Sequence, residues 1–263
     1  MRVTLLGTGG SAGVPMIGGA DGTGDWGVCD PTEPRNIRTR ASIAIDGGGE
    51  GVLLVDTSPD MRHQLLAARI GRVAAVLYTH AHADHVTGID DVRLLNRVMD
   101  RPIEAFGTAR TLDELVRRFG YVFRPWEPPH FFRPALIPMV VASDAVLNTA
   151  GLHVRLFDQD HGFTRSLGLR VGAFGYSTDA VDLDDTAFAA LAGVDTWVVG
   201  CFQREPHRTH AWLDRVLAWV ARLRPRRTVL THMGTDMDYG WLRAGLPDGV
   251  EPGYDGQILD IQA

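Results

Sequence analysis

The chain of 263 residues has no lysine, so all 26 of its basic residues are arginine. They are scattered among 32 acidic residues and leave a net charge of −6, which excludes the basic stripe that tracks a long nucleic acid. Cysteine is nearly absent: Cys29 and Cys201 form no C-x-x-C pair and are too few for a disulfide framework, so both read as small buried hydrophobes. No stretch of about 18 or more apolar residues occurs, which excludes a membrane-spanning helix. The opening residues break into Gly7, Gly9 and Gly10 before a signal-peptide core could form, so a cytoplasmic, membrane-free protein is expected. Internal repeats and low-complexity tracts are also lacking.

Short β-type runs are present at 3–6, 41–45, 52–55, 74–78, 153–157, 167–171, 196–199, 228–230 and 257–261. Helical patterns are interleaved at 59–69, 109–119 and 210–223. Some strands follow one another around turns such as Asp46-Gly47-Gly48-Gly49, and helices separate others. This mixture predicts an α/β fold in one domain over 1–263: a mixed sheet, or two sheets face to face, covered by helices. Two irregular stretches, 7–36 and the proline-rich 121–138, are expected to wall a cleft.

The chemistry concentrates in His80-Ala81-His82-Ala83-Asp84-His85, where the apolar run Ala74-Ala75-Val76-Leu77-Tyr78 ends. In an extended segment residues two apart point the same way, so His80 and His82 can reach one cation together. Asp84 and His85 follow where the chain turns into a helix and can address a second. Imidazole and carboxylate donors suit zinc, manganese or iron.

This segment matches the H-x-H-x-D-H signature of the metallo-β-lactamase superfamily, and the order of elements resembles that family's αββα sandwich of two mixed β-sheets flanked by helices. The resemblance implies two divalent metal ions, zinc or manganese, with His80, His82 and His161 on one, Asp84, His85 and His232 on the other, and Asp179 bridging. It also implies that Asp56 orients the ligand loop through hydrogen bonds, although Asp56 or Ser58 could equally cap the helix that begins near Pro59. A binuclear site of this kind activates water, so hydrolysis through a metal-bridging hydroxide is the expected reaction, with Asp84 counted among the catalytic residues.

A phosphodiester leaving group also needs a proton, and His210, at the expected start of the 210–223 helix, is the candidate donor. The N-terminal segment Gly7-Thr8-Gly9-Gly10-Ser11-Ala12-Gly13-Val14-Pro15 resembles the loop of the phosphoribosyl 1,2-cyclic phosphate phosphodiesterases, whose catalytic histidine corresponds to His210. Gly9 and Gly10 are expected to offer backbone N–H groups to phosphate, and Arg38, Arg40 and Arg93 to contact it. Those enzymes hold a structural zinc on three cysteines and a later histidine; only Cys29 is retained here, so no structural zinc is expected. The leading expectation is a phosphodiesterase for a small cyclic or nucleotide-like phosphate ester, with no long nucleic acid as partner and a homodimer left open. Thioester or lactone hydrolysis, and a non-catalytic binding protein of the same fold, are the alternatives.

Overall fold

A computed structural model describes residues 1–125 and 134–262. Among the described residues, fourteen strands form two sheets of seven. The first contains β1 (Arg2–Gly7), β2 (Ser42–Asp46), β3 (Val52–Val55), β4 (Val73–Leu77), β5 (Ile103–Gly107) and β6 (Leu136–Val140). The second contains β7 (Val146–Thr149), β8 (Leu152–Asp160), β9 (Arg165–Val171), β10 (Phe174–Ser177), β11 (Thr196–Gly200), β12 (Arg227–Thr231) and β13 (Val250–Pro252). The last strand, β14 (Ile258–Asp260), returns to the first sheet and pairs antiparallel with β1. The helices are α1 (Met61–Ala67), α2 (Ala83–Val86), α3 (Val92–Met99), α4 (Ala109–Phe123), α5 (Asp185–Leu191), α6 (Leu213–Leu223) and α7 (Tyr239–Gly245).

Period-two alternation explains the layering. Leu53 and Val55 face the second sheet, where Val198 and Val229 meet them in one core. Their neighbours Val52 and Leu54 face outward and pack with Met61 and Leu65 of α1. On the far side Trp197, Val199 and Leu230 pack with Val216 and Trp219 of α6. Three apolar layers therefore separate helix, sheet, sheet and helix, as an αββα sandwich requires. Each sheet is antiparallel at one side and parallel at the other: β3 to β6 run parallel, as do β10 to β13.

The nine expected strand runs all fall on strands, but β5, β6, β7, β10 and β13 were not foreseen. The expected 210–223 helix starts only at Leu213, because Gln203 bridges Trp212 and the Ala211 N–H donates to Ala180 O, holding 211–212 extended. Of the expected wall at 121–138, α4 occupies the start and β6 the end, while 126–133 lie outside the described residues.

Candidate metal centre

Parallel strands end together, and the polar residues that follow them meet at one end of the sandwich. Asp56 follows β3, His80 follows β4, Asp179 follows β10 and His232 follows β12; His161 comes directly after β8. Asp84 and His85 lie on the single turn of α2. Three of these residues, Asp56, Asp179 and His232, have φ of 65°, 48° and 54°. A left-handed residue within two positions of a strand end turns the chain sharply; Asp and His tolerate this better than most, at a cost of about 1–2 kcal/mol each.

The seven expected donors converge. Their ligand atoms form overlapping groups within 4.8 Å: His80, His82 and His161; His80, His85 and Asp179; Asp84, His85 and His232. A further group, His161, Asp179 and His210, brings in the expected proton donor. The Asp179 carboxylate stands in the middle, with Oδ2 3.0 Å from His85 Nε2 and Oδ1 3.3 Å from His232 Nε2, 3.7 Å from His161 Nε2 and 3.4 Å from His210 Nδ1.

The outer nitrogens of several rings are engaged. His161 Nδ1 lies 2.7 Å from Thr209 O, which can only accept, so this nitrogen carries the proton and Nε2 presents a lone pair to the cluster. His85 Nδ1 lies 2.7 Å from Asp56 Oδ2, and His80 Nδ1 lies 3.0 Å from Thr79 Oγ1. Asp56 also accepts the Thr79 N–H and hydroxyl, each at 2.8 Å, so one fully buried carboxylate holds both the loop and a ring. Inside the cluster, His80 Nε2 is buried with no hydrogen-bond partner among the described residues, while the equally buried His85 Nε2 and His232 Nε2 face the carboxylates of Asp179 and Asp84. His161 Nε2 and His82 Nδ1 are 3.2 Å apart, a separation at which two lone pairs repel unless a cation or proton lies between them. Bare, converging imidazole nitrogens around a buried carboxylate fit divalent cations.

Without a metal, the local electrostatics differ from ring to ring. Burial pushes His80 well below the usual imidazole value, with His85 adding to the effect. Burial also opposes charge on His85, yet the Asp179, Asp84 and Asp56 carboxylates outweigh it and raise that ring well above its ordinary value. For Asp179 burial is overcome by His232 and His85, and the carboxyl is held well below the usual range. His210 is pushed down to about 3, chiefly by burial against the partial opposition of Asp179. Its ring packs on Phe202 and His232 at centroid distances of 4.9 Å each.

The expected phosphate contacts are distributed differently. Arg38 is 2% exposed, and its guanidinium donates to Asn36 Oδ1, Met237 O and Gly234 O, clamping two loops together. Arg40 pairs with Asp60 at 3.1 Å, and Arg93 on α3 with Asp90 at 3.2 Å. The N–H groups expected to meet phosphate are also used: Gly9 donates to Thr39 O and Gly10 to Met233 O. Gly10 nevertheless borders the centre, since a Cβ there would sit 2.8 Å from Phe202 and 3.6 Å from His232. Three neighbours escaped sequence reasoning. Arg118 of α4 donates to Ala81 O between His80 and His82, His207 packs on the ring of Phe202 at 5.1 Å, and exposed Arg208 lies two residues before His210. No spacing signal marked Arg118, whose contact with Ala81 O joins residues 37 apart in sequence.

Two facing mixed sheets with histidine and aspartate donors at their shared end define the metallo-β-lactamase class of fold. The chain belongs to the β-lactamase superfamily, whose domain profile matches residues 52–233. Among solved structures, a diphosphatase of the PhnP family is 30% identical with a TM-score of 0.87, covering 99% of this chain and 98% of that one. Zinc-bound PqqB from Methylobacterium extorquens shares the fold at 19% identity and a TM-score of 0.73, over 99% and 100% of the two chains. An octanoyltransferase of Porphyromonas gingivalis is 31% identical over 259 residues, which cover 97% of this chain and 51% of that protein. The coenzyme PQQ synthesis protein B of Cupriavidus taiwanensis is 34% identical over 125 residues, 40% of each chain. The chain thus spans about half or less of the length of these curated relatives. No described helix is long and apolar enough to cross a membrane.

Proposed function

We propose that this metallo-β-lactamase-fold hydrolase is a binuclear phosphodiesterase acting on a small cyclic or nucleotide-like phosphate ester. The observation that carries the reading is the pair of donor groups joined at Asp179: His80, His82 and His161 would hold one divalent ion, Asp84, His85 and His232 the other. Two such ions supply a water acidic enough to attack near neutral pH and neutralise charge on a phosphoryl oxygen. Similarity over nearly the whole chain to a PhnP-family diphosphatase supports phosphate chemistry.

The protein's own groups do the positioning. Asp56 fixes the His85 ring and the Thr79 backbone, and so holds the loop that carries the donors. Phe202 and the buried rings exclude bulk water on one side. His210, neutral at rest and beside Asp179, is the group proposed to take up the proton that the attacking water releases and to hand it to the departing oxygen.

The test is metal-dependent hydrolysis of bis(p-nitrophenyl) phosphate by purified protein, lost on chelation and restored by zinc or manganese. Turnover of a thioester or lactone with none of any phosphodiester would overturn the proposal. That second reading draws on one observation, the match of 97% of the chain to a relative named for acyl transfer.

A further inference from the structure

We propose that Asp255, in the turn between β13 and β14, is a positioning residue for the metal centre: it fixes the backbone that carries His232, and so governs the ion that Asp84, His85 and His232 would share. The inference rests on the two-ion reading and adds to it a residue outside the donor set.

His232 is held differently from its neighbours. The outer nitrogens of His80, His85 and His161 each meet an oxygen, whereas Nδ1 of His232 is buried with no hydrogen-bond partner among the described residues. Its ring stacks on those of His210 and His85 at 4.9 and 5.7 Å, contacts that set the plane of the ring but aim no particular atom at the cluster. The aim of Nε2 then depends on the backbone. With φ of 54°, His232 keeps a conformation that persists only where its surroundings impose it.

Hydrogen bonds close a ring around that backbone. Two residues before His232, Leu230 O accepts the Gly253 N–H at 2.8 Å; one residue after it, the Met233 N–H donates to Thr8 O at 2.9 Å. Asp255 joins these two fastenings, because its Oδ1 accepts both the N–H and the hydroxyl of Thr8 at 2.8 Å. The turn itself is tied to β1, where Leu5 O accepts the Gly256 N–H and the Leu5 N–H donates to Gln257 O. His232 therefore sits inside a closed loop of chain that Asp255 completes.

The other oxygen extends the hold. Asp255 Oδ2 accepts the Thr39 N–H at 2.7 Å and the Thr39 hydroxyl at 2.6 Å. Gln64 Nε2 donates to that same hydroxyl oxygen and to Arg40 O, and Gln64 Oε1 accepts from Ser58, two residues after Asp56. Four donors meet one carboxylate, and an amide in its place would turn an N–H toward two of them.

Stepwise zinc titration against a competing chelator, on purified folded protein, tests the role. The wild type is expected to bind two ions in two steps, and His232→Ala marks which step belongs to the Asp84, His85 and His232 group. Asp255→Asn should weaken that step about tenfold or more and leave the other within about threefold. Thr8→Val, which removes one hydroxyl from the same arm, should weaken it about threefold, and Thr8→Ser should restore it. Where Asp255→Asn does not fold, the Thr8 pair decides alone. Both steps unchanged, or both weakened alike, overturns the role of Asp255 while leaving the two-ion reading intact. A wild type that binds fewer than two ions withdraws that reading and the inference with it.

Discussion

A metal-binding imidazole needs one nitrogen bare and the other held. Asp56 does the holding for His85 while also accepting two bonds from Thr79. Asp56→Asn keeps a residue that tolerates φ of 65° but weakens the charge-assisted bond to the ring. The expected outcome is a metal affinity lower by about 10- to 100-fold in competitive chelator titration, and unchanged affinity would remove Asp56 from the positioning role. His210 is separable by leaving group. If it protonates the departing oxygen, His210→Ala slows an alkyl phosphodiester by about 10²–10⁴-fold yet barely slows one that releases p-nitrophenolate, which needs no proton. Equal losses on both esters would show that the ring only binds phosphate. The donors were legible because histidines and aspartates crowd the point where an apolar strand stops, which no packing requirement explains. The structural bonds of Arg38, Gly9 and Gly10 were not legible, for the opposite reason. Their partners include Met237 and Met233, about two hundred residues away in sequence, and such bonds leave no local pattern.

Strands showed themselves in the sequence where apolar residues were dense, and stayed hidden where they were short or carried a breaker. β10 has Gly175 inside a four-residue strand, β13 ends on Pro252, and β6 carries Pro138, which made its neighbourhood read as loop. That proline has a position with meaning. The Val141 N–H reaches Gly107 O and Ala135 O accepts from Ile103, so alternate residues of β6 face β5 and Pro138 falls among those facing away. Since β6 is the edge of its sheet, with Ile137 and Val140 exposed, a missing outward donor discourages another chain from pairing there. Pro138→Val should therefore leave the monomer fold intact and raise self-association, read as a concentration-dependent increase in apparent mass by analytical ultracentrifugation. No change in association would assign Pro138 to the loop alone.

Across the whole molecule, the centre couples folding to pH and metal. With metal removed, His80 and His210 sit below their ordinary values, so beneath about pH 6.5 the unfolded chain binds more protons and stability falls with acidification. His85 is raised, and the stability it contributes is full below about pH 6.5 and lost as pH climbs toward its folded value. Melting temperature of the chelated protein should therefore peak near pH 6–7, and a monotonic profile would contradict these shifts. Loading metal to about 100 times its dissociation constant adds about 2.7 kcal/mol, a rise in Tm of roughly 5–10 °C for a chain this size, measurable by calorimetry.

The candidate donors divide between the two sheets: His80, His82, Asp84 and His85 come from the first, His161, Asp179 and His232 from the second. Each ion would thus be claimed jointly by both halves of the sandwich, and neither half alone could complete a coordination sphere. Binding energy is then adhesive as well as chemical. A chain nicked between β6 and β7, where the path crosses from one sheet to the other, would have in the ion itself the strongest reason for its two pieces to find each other again.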